Sequence, residues 1–258
     1  MTTSTTDKSP VRGAVLLAAG RGARLRPYTD KTPKPLLPVK GAPTLDLYFN
    51  GLATAGVQNV VLVVHHLAQQ IEKYASNIES RFGINCTTVT QSVLDGTATA
   101  LQTITQNANS HTTDTSDKAL LQSIVSSPFL LTATDYLLPH TFIPDFLSFY
   151  LSNDEDIAVS IKSVPSEQLA SRSSIRFSGD GRILEVVEKP AEGKAPSSYS
   201  ANLTYILPPE VLRSLEAVQP SPRGEREVQS AINSYLSGGG SARGLVQPAP
   251  PEWTPDLQ

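Results

Sequence analysis

The 258-residue chain has one cysteine, one methionine and one tryptophan, and aromatic residues make up 6% of it. A single thiol, Cys86, forms no internal disulfide and builds no thiolate zinc site. The four histidines, at positions 65, 66, 111 and 140, match no metal-ligand spacing and receive no role. No apolar run is long enough to cross a bilayer, and the mean hydropathy of −0.15 agrees. The opening MTTSTTDKSPVRG lacks the apolar core of a secretory signal and reads as a disordered tail over residues 1–11. A cytoplasmic protein is the simplest expectation. Positive charge is in slight deficit, 21 basic residues against 24 acidic, so nucleic acid is not expected as a bulk partner.

The basic residues that do occur are unevenly placed. Six lie between positions 21 and 40 with one acid, Asp30, which leaves 15 basic against 23 acidic elsewhere. A local excess of this kind points to a local anionic partner.

Along the chain, short apolar runs alternate with amphipathic stretches. Residues 11–20, 59–66, 84–91 and 127–138 predict strands, and 42–56, 68–83 and 97–108 predict helices. The NVVLVVHH run at 59–66 is β-branched and continuous, as a central parallel strand is. The expectation is an α/β fold with a Rossmann-like, three-layer, mostly parallel mixed sheet. The second half, through 156–165, 174–190 and 201–215, is expected to finish the sheet with an antiparallel part that carries a substrate lid. Segments 110–118 and 237–244 read as mobile surface loops.

In a parallel sheet, ligands sit beyond the carboxyl ends of the strands. Gly20 and Gly22 fall at such an end, where backbone N–H groups are free to approach an anion. Arg24, Arg26, Lys31 and Lys34 follow closely enough to surround a polyphosphate, and Pro33 and Pro35 stiffen the backbone on either side of Lys34. A dinucleotide loop needs a third glycine where Leu25 stands, and a P-loop needs G-K-[ST], which occurs nowhere. Charge alone is also satisfied by a solvated basic loop with a turn glycine.

The order of residues decides between them. LAAGRGARLRPYTDKTPKPLLPVKGAP, residues 17–43, closely resembles the signature of the sugar-1-phosphate nucleotidyltransferases, roughly LAAG-x-G-x-R-(L/M)-x-P-x-T-x(3)-PKP-(L/M)-LPV-x(3)-P. The resemblance implies that Leu17, Ala18, Ala19, Gly20 and Gly22 hold the nucleotide, with Arg24 and Lys34 on its phosphates. QSVLDGTATAL (91–101) resembles the family's base-recognition segment, which implies that Gln91, Gly96 and Thr97 face the base. A Gln amide pairs with the imide edge of uracil or thymine, so UTP or dTTP is favoured. LLTATDYLL (130–138) puts Asp135 where the family's magnesium-binding Asp stands, with Thr134 in place of a glycine. VVEKPAEG (186–193) resembles the family's EKP motif, which implies Glu188 on sugar hydroxyls and Lys189 on the sugar phosphate, with Asn202 as a further sugar contact.

The implied organisation is one domain over 12–258, with a nucleotide-binding half at 12–140, a sugar-binding half at 141–236 and a truncated C-terminal segment at 237–258. The implied reaction joins an NTP and a sugar 1-phosphate to give an NDP-sugar and pyrophosphate with Mg2+, and Arg24, Lys34 and Asp135 are its catalytic residues. Three departures stand out. Ser174 replaces a glycine, Ser230 replaces the Asp of a G-E-x-x-(L/I)-T-D segment, and Trp253 runs straight into Thr254 and Pro255, so a second metal-ligating Asp is missing unless Asp256 substitutes. Two alternatives therefore stay open: a catalytically impaired nucleotide-binding or regulatory homologue, and transfer to a non-sugar phosphate such as phosphocholine. A homo-oligomer is compatible with the sequence, which specifies no state.

Overall fold

The computed structural model describes residues 8–221 and 224–247. Its strands are β1 (Gly13–Leu17), β2 (Pro38–Val39), β3 (Ala42–Pro43), β4 (Asn59–Val64), β5 (Asn85–Thr90), β6 (Phe129–Ala133), β7 (Ile157–Ser163), β8 (Ser173–Phe177), β9 (Ile183–Glu188), β10 (Tyr199–Leu207) and β11 (Ala242–Val246). Its α-helices are α1 (Thr44–Thr54), α2 (Ala68–Ala75), α3 (Ile78–Phe82), α4 (Thr97–Asn109), α5 (Thr115–Val125), α6 (Phe142–Leu151), α7 (Ser166–Leu169) and α8 (Val228–Ser237).

Seven strands form one sheet in the order β11-β7-β10-β6-β1-β4-β5. β1 pairs in parallel with both β4 and β6, β4 with β5, and β7 with β11. Only β10 runs antiparallel, between β6 and β7. Strand alternation sends Val15, Val61 and Leu131 to one face, against Leu101 and Ile104 of α4, Ile124 of α5 and Ile232 of α8. Leu16, Leu62 and Leu130 go to the other, against Leu45 and Phe49 of α1, Ile71 of α2 and Phe146 of α6. Both faces are thus covered, which is why β4 is apolar without interruption. The expected three-layer mixed sheet is what forms.

Four local expectations are corrected. The helix read over 68–83 is two helices: the Asn77 amide and the Ser76 hydroxyl both donate to the Lys73 carbonyl and compete with the backbone ladder. Residues 110–118 are not all loop, because Asp114 accepts from the Ser116 N–H at 2.9 Å and caps α5. Residues 237–244 run into β11, with Ala242 fully buried. Within the tail expected over 1–11, the described residues are packed: Lys8 Nζ donates to the Tyr150 and Glu155 carbonyls, and Val11 is buried. Residues 1–7 lie outside the described residues, as do Trp253, Thr254, Pro255 and Asp256 of the expected metal-ligand deletion.

Phe146 is completely buried in the α1–α6 face. Phe146→Ala is expected to cost about 3–5 kcal/mol, read from the shift of the urea unfolding midpoint at constant slope. A loss under about 1 kcal/mol would mean that this layer closes over the hole.

Candidate active site

The carboxyl ends of β1, β4, β5 and β6 share one rim of the sheet. The segments that leave β1, β5 and β6 line a cleft of about 580 Å3 with Glu225 and Glu227. Residues 17–22 form its floor: the Ala18 N–H donates to the Val63 carbonyl at 2.8 Å, which aims the loop outward from the core. Gly22 has φ +61°, and a Cβ there would stand 2.7 Å from the Thr29 methyl. Thr29 is buried and its hydroxyl donates to the Gly22 carbonyl at 3.0 Å, so the threonine of the signature holds the shape of the loop.

Arg24 and Lys34 both line the cleft, as does Arg21. Arg26 and Lys31 do not; Arg26 pairs with Asp30 at 3.3 Å on the surface. The expectation that four cations surround one ligand is thus reduced to Arg24 and Lys34, with Arg21 added. Lys34 Nζ lies 3.8 Å from Asp135 Oδ2. Burial lowers its pKa, the Asp135 charge opposes that lowering, and Arg24 adds to it. Asp135 follows β6 as expected. The Thr134 that replaces glycine has a structural job: its hydroxyl and N–H both donate to the Leu17 carbonyl, at 2.9 and 3.3 Å.

Gln91, Gly96 and Thr97 also line the cleft, but two of their polar groups are already engaged. Gln91 Nε2 donates to the Gly96 carbonyl at 3.0 Å. The Thr97 hydroxyl accepts from the Val228 N–H at 2.8 Å and donates to Glu227 Oε2 at 3.2 Å. Gly96 has φ +135°, and any Cβ would overlap the Arg226 carbonyl. That carbonyl accepts from the Ala98 N–H at 2.9 Å, and the Arg226 N–H donates to the Asp95 carbonyl. Glycine is required here because two backbones touch.

This contact brings in residues that the motif reading left without a role. Glu225 and Glu227 line the cleft, and Glu227 is pushed up to about 7 by burial first, then by hydrogen bonding and charge from Glu225 and by the Glu188 charge. Both belong to the GEREVQ segment, whose resemblance was legible but whose docking on residues 95–98 was not. Leu94 and Leu203 are further lining residues without a sequence signal of their own.

Glu188, Lys189 and Asn202 are not lining residues of this cleft. Glu188 and Lys189 adjoin it: Lys189 Nζ lies 3.6 Å from Glu188 and 3.6 Å from Glu225. Asn202 is buried on β10 and donates to the Ser160 hydroxyl at 3.0 Å. Ser174 is buried too, and its hydroxyl donates to the Ser197 carbonyl at 2.8 Å. His65 and His66 contact the Gln91 and Thr29 carbonyls through one ring nitrogen each, and neither lines the cleft.

The family model described as nucleotidyl transferase matches residues 13–249. The chain belongs to the nucleotidyl transferase family. The UTP–glucose-1-phosphate uridylyltransferase AglF of Haloferax volcanii is 30% identical over 227 residues, covering 88% of this chain and 84% of that protein. A glucose-1-phosphate thymidylyltransferase of Streptomyces griseus is 27% identical over 239 residues, 90% of this chain but 59% of that protein. A crystal structure of UDP-glucose pyrophosphorylase complexed with UDP-glucose superposes with a TM-score of 0.74 at 22% identity, covering 92% and 91% of the two chains, and supports the fold. The resemblance of residues 17–43 to the sugar-1-phosphate nucleotidyltransferases is therefore upheld. Among the described residues, no helix is long and apolar enough to cross a membrane.

Two outcomes test this geometry in the nucleotidyl transferase. Gly96→Ala is expected to lower the Tm by several degrees or more, because neither backbone can yield cheaply. An unchanged melt would show that the contact is slack. Glu227 is protonated more readily in the fold than its ordinary 4.5, so folding takes up protons between about pH 4.5 and 7. The associated stability is complete below that window and lost as pH rises through it. Glu227→Gln is expected to match the parent Tm near pH 5 and exceed it near pH 8; parallel curves would remove Glu227 as the cause.

Proposed function

We propose that the chain is a sugar-1-phosphate nucleotidyltransferase that joins UTP or dTTP to a sugar 1-phosphate and releases pyrophosphate. One observation carries this reading: the glycine loop, Arg24, Lys34 and Asp135 all border one cleft. The main-chain amides of residues 19–22 and the cations of Arg24 and Lys34 receive the triphosphate, and the base lies against Gly96 and Leu94. The two named relatives act on UTP or a thymidine nucleotide by their names, which supports the pyrimidine choice.

An oxygen of the sugar phosphate attacks the α-phosphorus in line. A P–O bond forms there as the bond to the β-phosphate oxygen breaks, and pyrophosphate leaves. The attacking phosphate is already anionic near neutrality, with a second pKa of about 6, so no general base is required. Arg24 and Lys34 neutralise charge on the departing pyrophosphate, which is the main work of phosphoryl transfer.

The donor set fits magnesium: Asp135 offers one carboxylate at a strand end, and magnesium takes one or two carboxylates with substrate phosphates. Among the described residues, no three His, Cys, Asp or Glu side chains form a metal cage. When bound, magnesium supplies charge neutralisation between the phosphates; Asp135 would hold it and would release Lys34 from their ion pair. The single-domain division into a nucleotide-binding half over 12–140 and a sugar-binding half over 141–236 is part of the same proposal.

A coupled pyrophosphate-release assay with UTP, dTTP and a panel of sugar 1-phosphates tests the reading. Turnover is expected with at least one pair, and Arg24→Ala or Lys34→Ala is expected to lower kcat about 100-fold or more. Nucleotide binding without release from any pair would favour a non-catalytic role, and turnover of phosphocholine alone would change the acceptor.

A further inference from the structure

The loop after β1 and the segment after β5 are separated by β4, so the turn after β4 adjoins both. That turn is His65-His66-Leu67, three residues between Val64 and the start of α2. The end of β4 already meets its two neighbours. The Val63 carbonyl accepts from the Ala18 N–H at 2.8 Å, and the Val64 carbonyl from the Gln91 N–H at 2.9 Å. The histidines then reach back to the same two sides. His65 Nδ1 lies 2.7 Å from the Gln91 carbonyl, and His66 Nε2 lies 2.9 Å from the Thr29 carbonyl. A carbonyl oxygen only accepts, so each of these ring nitrogens carries the hydrogen.

Each contact lands on, or one step behind, a residue of the cleft. Gln91 lines the cleft itself, and consecutive residues hold both sides of its backbone, Val64 the N–H and His65 the carbonyl. Thr29 stands one step back. Its hydroxyl donates to the Gly22 carbonyl at 3.0 Å, and a Cβ on Gly22 would lie 3.3 Å from the Cβ of Lys34, so this threonine braces the part of the loop that meets Lys34. Two imidazoles thus stand behind two different parts of the nucleotide site without lining it. The turn that carries them is strained: Leu67 has φ +54°, a left-handed conformation that a bulky residue rarely adopts. Such strain persists where the surroundings over-determine the backbone. Gln70 of α2 adds to them, its Nε2 donating to the Lys31 carbonyl at 2.8 Å as a further tie to the signature segment.

We propose that His65 and His66 are positioning residues for the nucleotide: His65 sets the base segment through the Gln91 carbonyl, and His66 sets the glycine loop through Thr29. The proposal rests on the nucleotide reading above and gives a use to two histidines that fit no metal spacing. Imidazole suits both places because its nitrogens differ in reach. Nδ1 sits close to the main chain and serves the carbonyl at the end of the adjacent strand. Nε2 sits further out and crosses to Thr29. An Asn amide copies the reach of the first donor, and a Gln amide that of the second.

The test is calorimetric titration of the parent chain and of Leu, Asn and Gln variants at each histidine. The ligands are UTP or dTTP, whichever the parent binds more tightly, and inorganic triphosphate, each with magnesium. His65→Leu is expected to weaken the nucleotide about tenfold while inorganic triphosphate stays within about twofold, because only the base segment is released. His66→Leu is expected to weaken both ligands by a similar factor. His65→Asn and His66→Gln are expected to recover most of the loss, whereas His65→Gln and His66→Asn, with the amide at the wrong reach, recover little. Where a Leu variant fails to fold, the comparison of Asn with Gln at that position decides. A lowered Tm with both affinities unchanged makes the histidines structural only and overturns the inference, as does equal behaviour of Asn and Gln at both positions. Nucleotide binding by the parent without pyrophosphate release from any sugar 1-phosphate overturns the catalytic reading alone. No binding of either nucleotide by the parent overturns both.

Discussion

The Leu17 carbonyl sets the geometry on which the cleft depends. It ends β1 and accepts two donors from Thr134, the backbone N–H at 3.3 Å and the hydroxyl at 2.9 Å. That pair fixes the carboxyl end of β6 against the carboxyl end of β1, so Asp135 emerges beside the loop that starts at Ala18. Parallel pairing of Gly13–Leu17 with Phe129–Ala133 then gives the two ends no freedom to slip. A glycine at 134 would keep the N–H bond and lose the hydroxyl bond. The substitution that looks like a departure in sequence is thus a second tie at the same oxygen.

Charge is sorted within the cleft. The groups that shift Lys34 are Asp135 and Arg24, whereas those that shift Glu227 are Glu225, Glu188 and Lys189. Neither set contains a member of the other. One group of residues is cationic with a single carboxylate and suits phosphates; the other is acidic with a single lysine and suits hydroxyl donors. This division explains how a chain of net charge −3 presents a local positive site. The acidic excess is not merely elsewhere on the surface, since part of it borders the same cleft.

The first half of the fold was legible because its signals are local. Strands at 13–17 and 59–64 are short apolar runs in a parallel sheet, 85–90 is rich in β-branched residues, and the PKP and glycine positions are fixed by turns a few residues long. The carboxyl-terminal half was less legible because its partners are distant. β11 is a five-residue strand whose burial against β7 comes from residues 157–161, and nothing within SGGGSARG marks it. The same holds for the cleft. Arg24, Lys34 and Asp135 were found by type and order, but Glu227 needed the fold, because its Thr97 partner lies 130 positions away. Thr97 lines the cleft, and its hydroxyl also holds the start of α8 through Glu227 and the Val228 N–H.

The EKP triplet shows why identity of a motif does not fix the role of each member. Lys189 has φ +46°, a left-handed conformation that costs a lysine energy and persists only when the surroundings over-determine it. Here its N–H is held by the Arg172 carbonyl, and Pro190 fixes the chain immediately after it. The turn folds the ammonium back between Glu188 and Glu225. Glu188, Glu225 and Glu227 share that corner, and burial with the neighbouring carboxylates pushes Glu227 up to about 7 even with the lysine opposing. Removing the cation would push the Glu227 carboxyl further up. Strain at one backbone position thus places the lysine between Glu188 and Glu225, where its charge opposes the upward shift of Glu227.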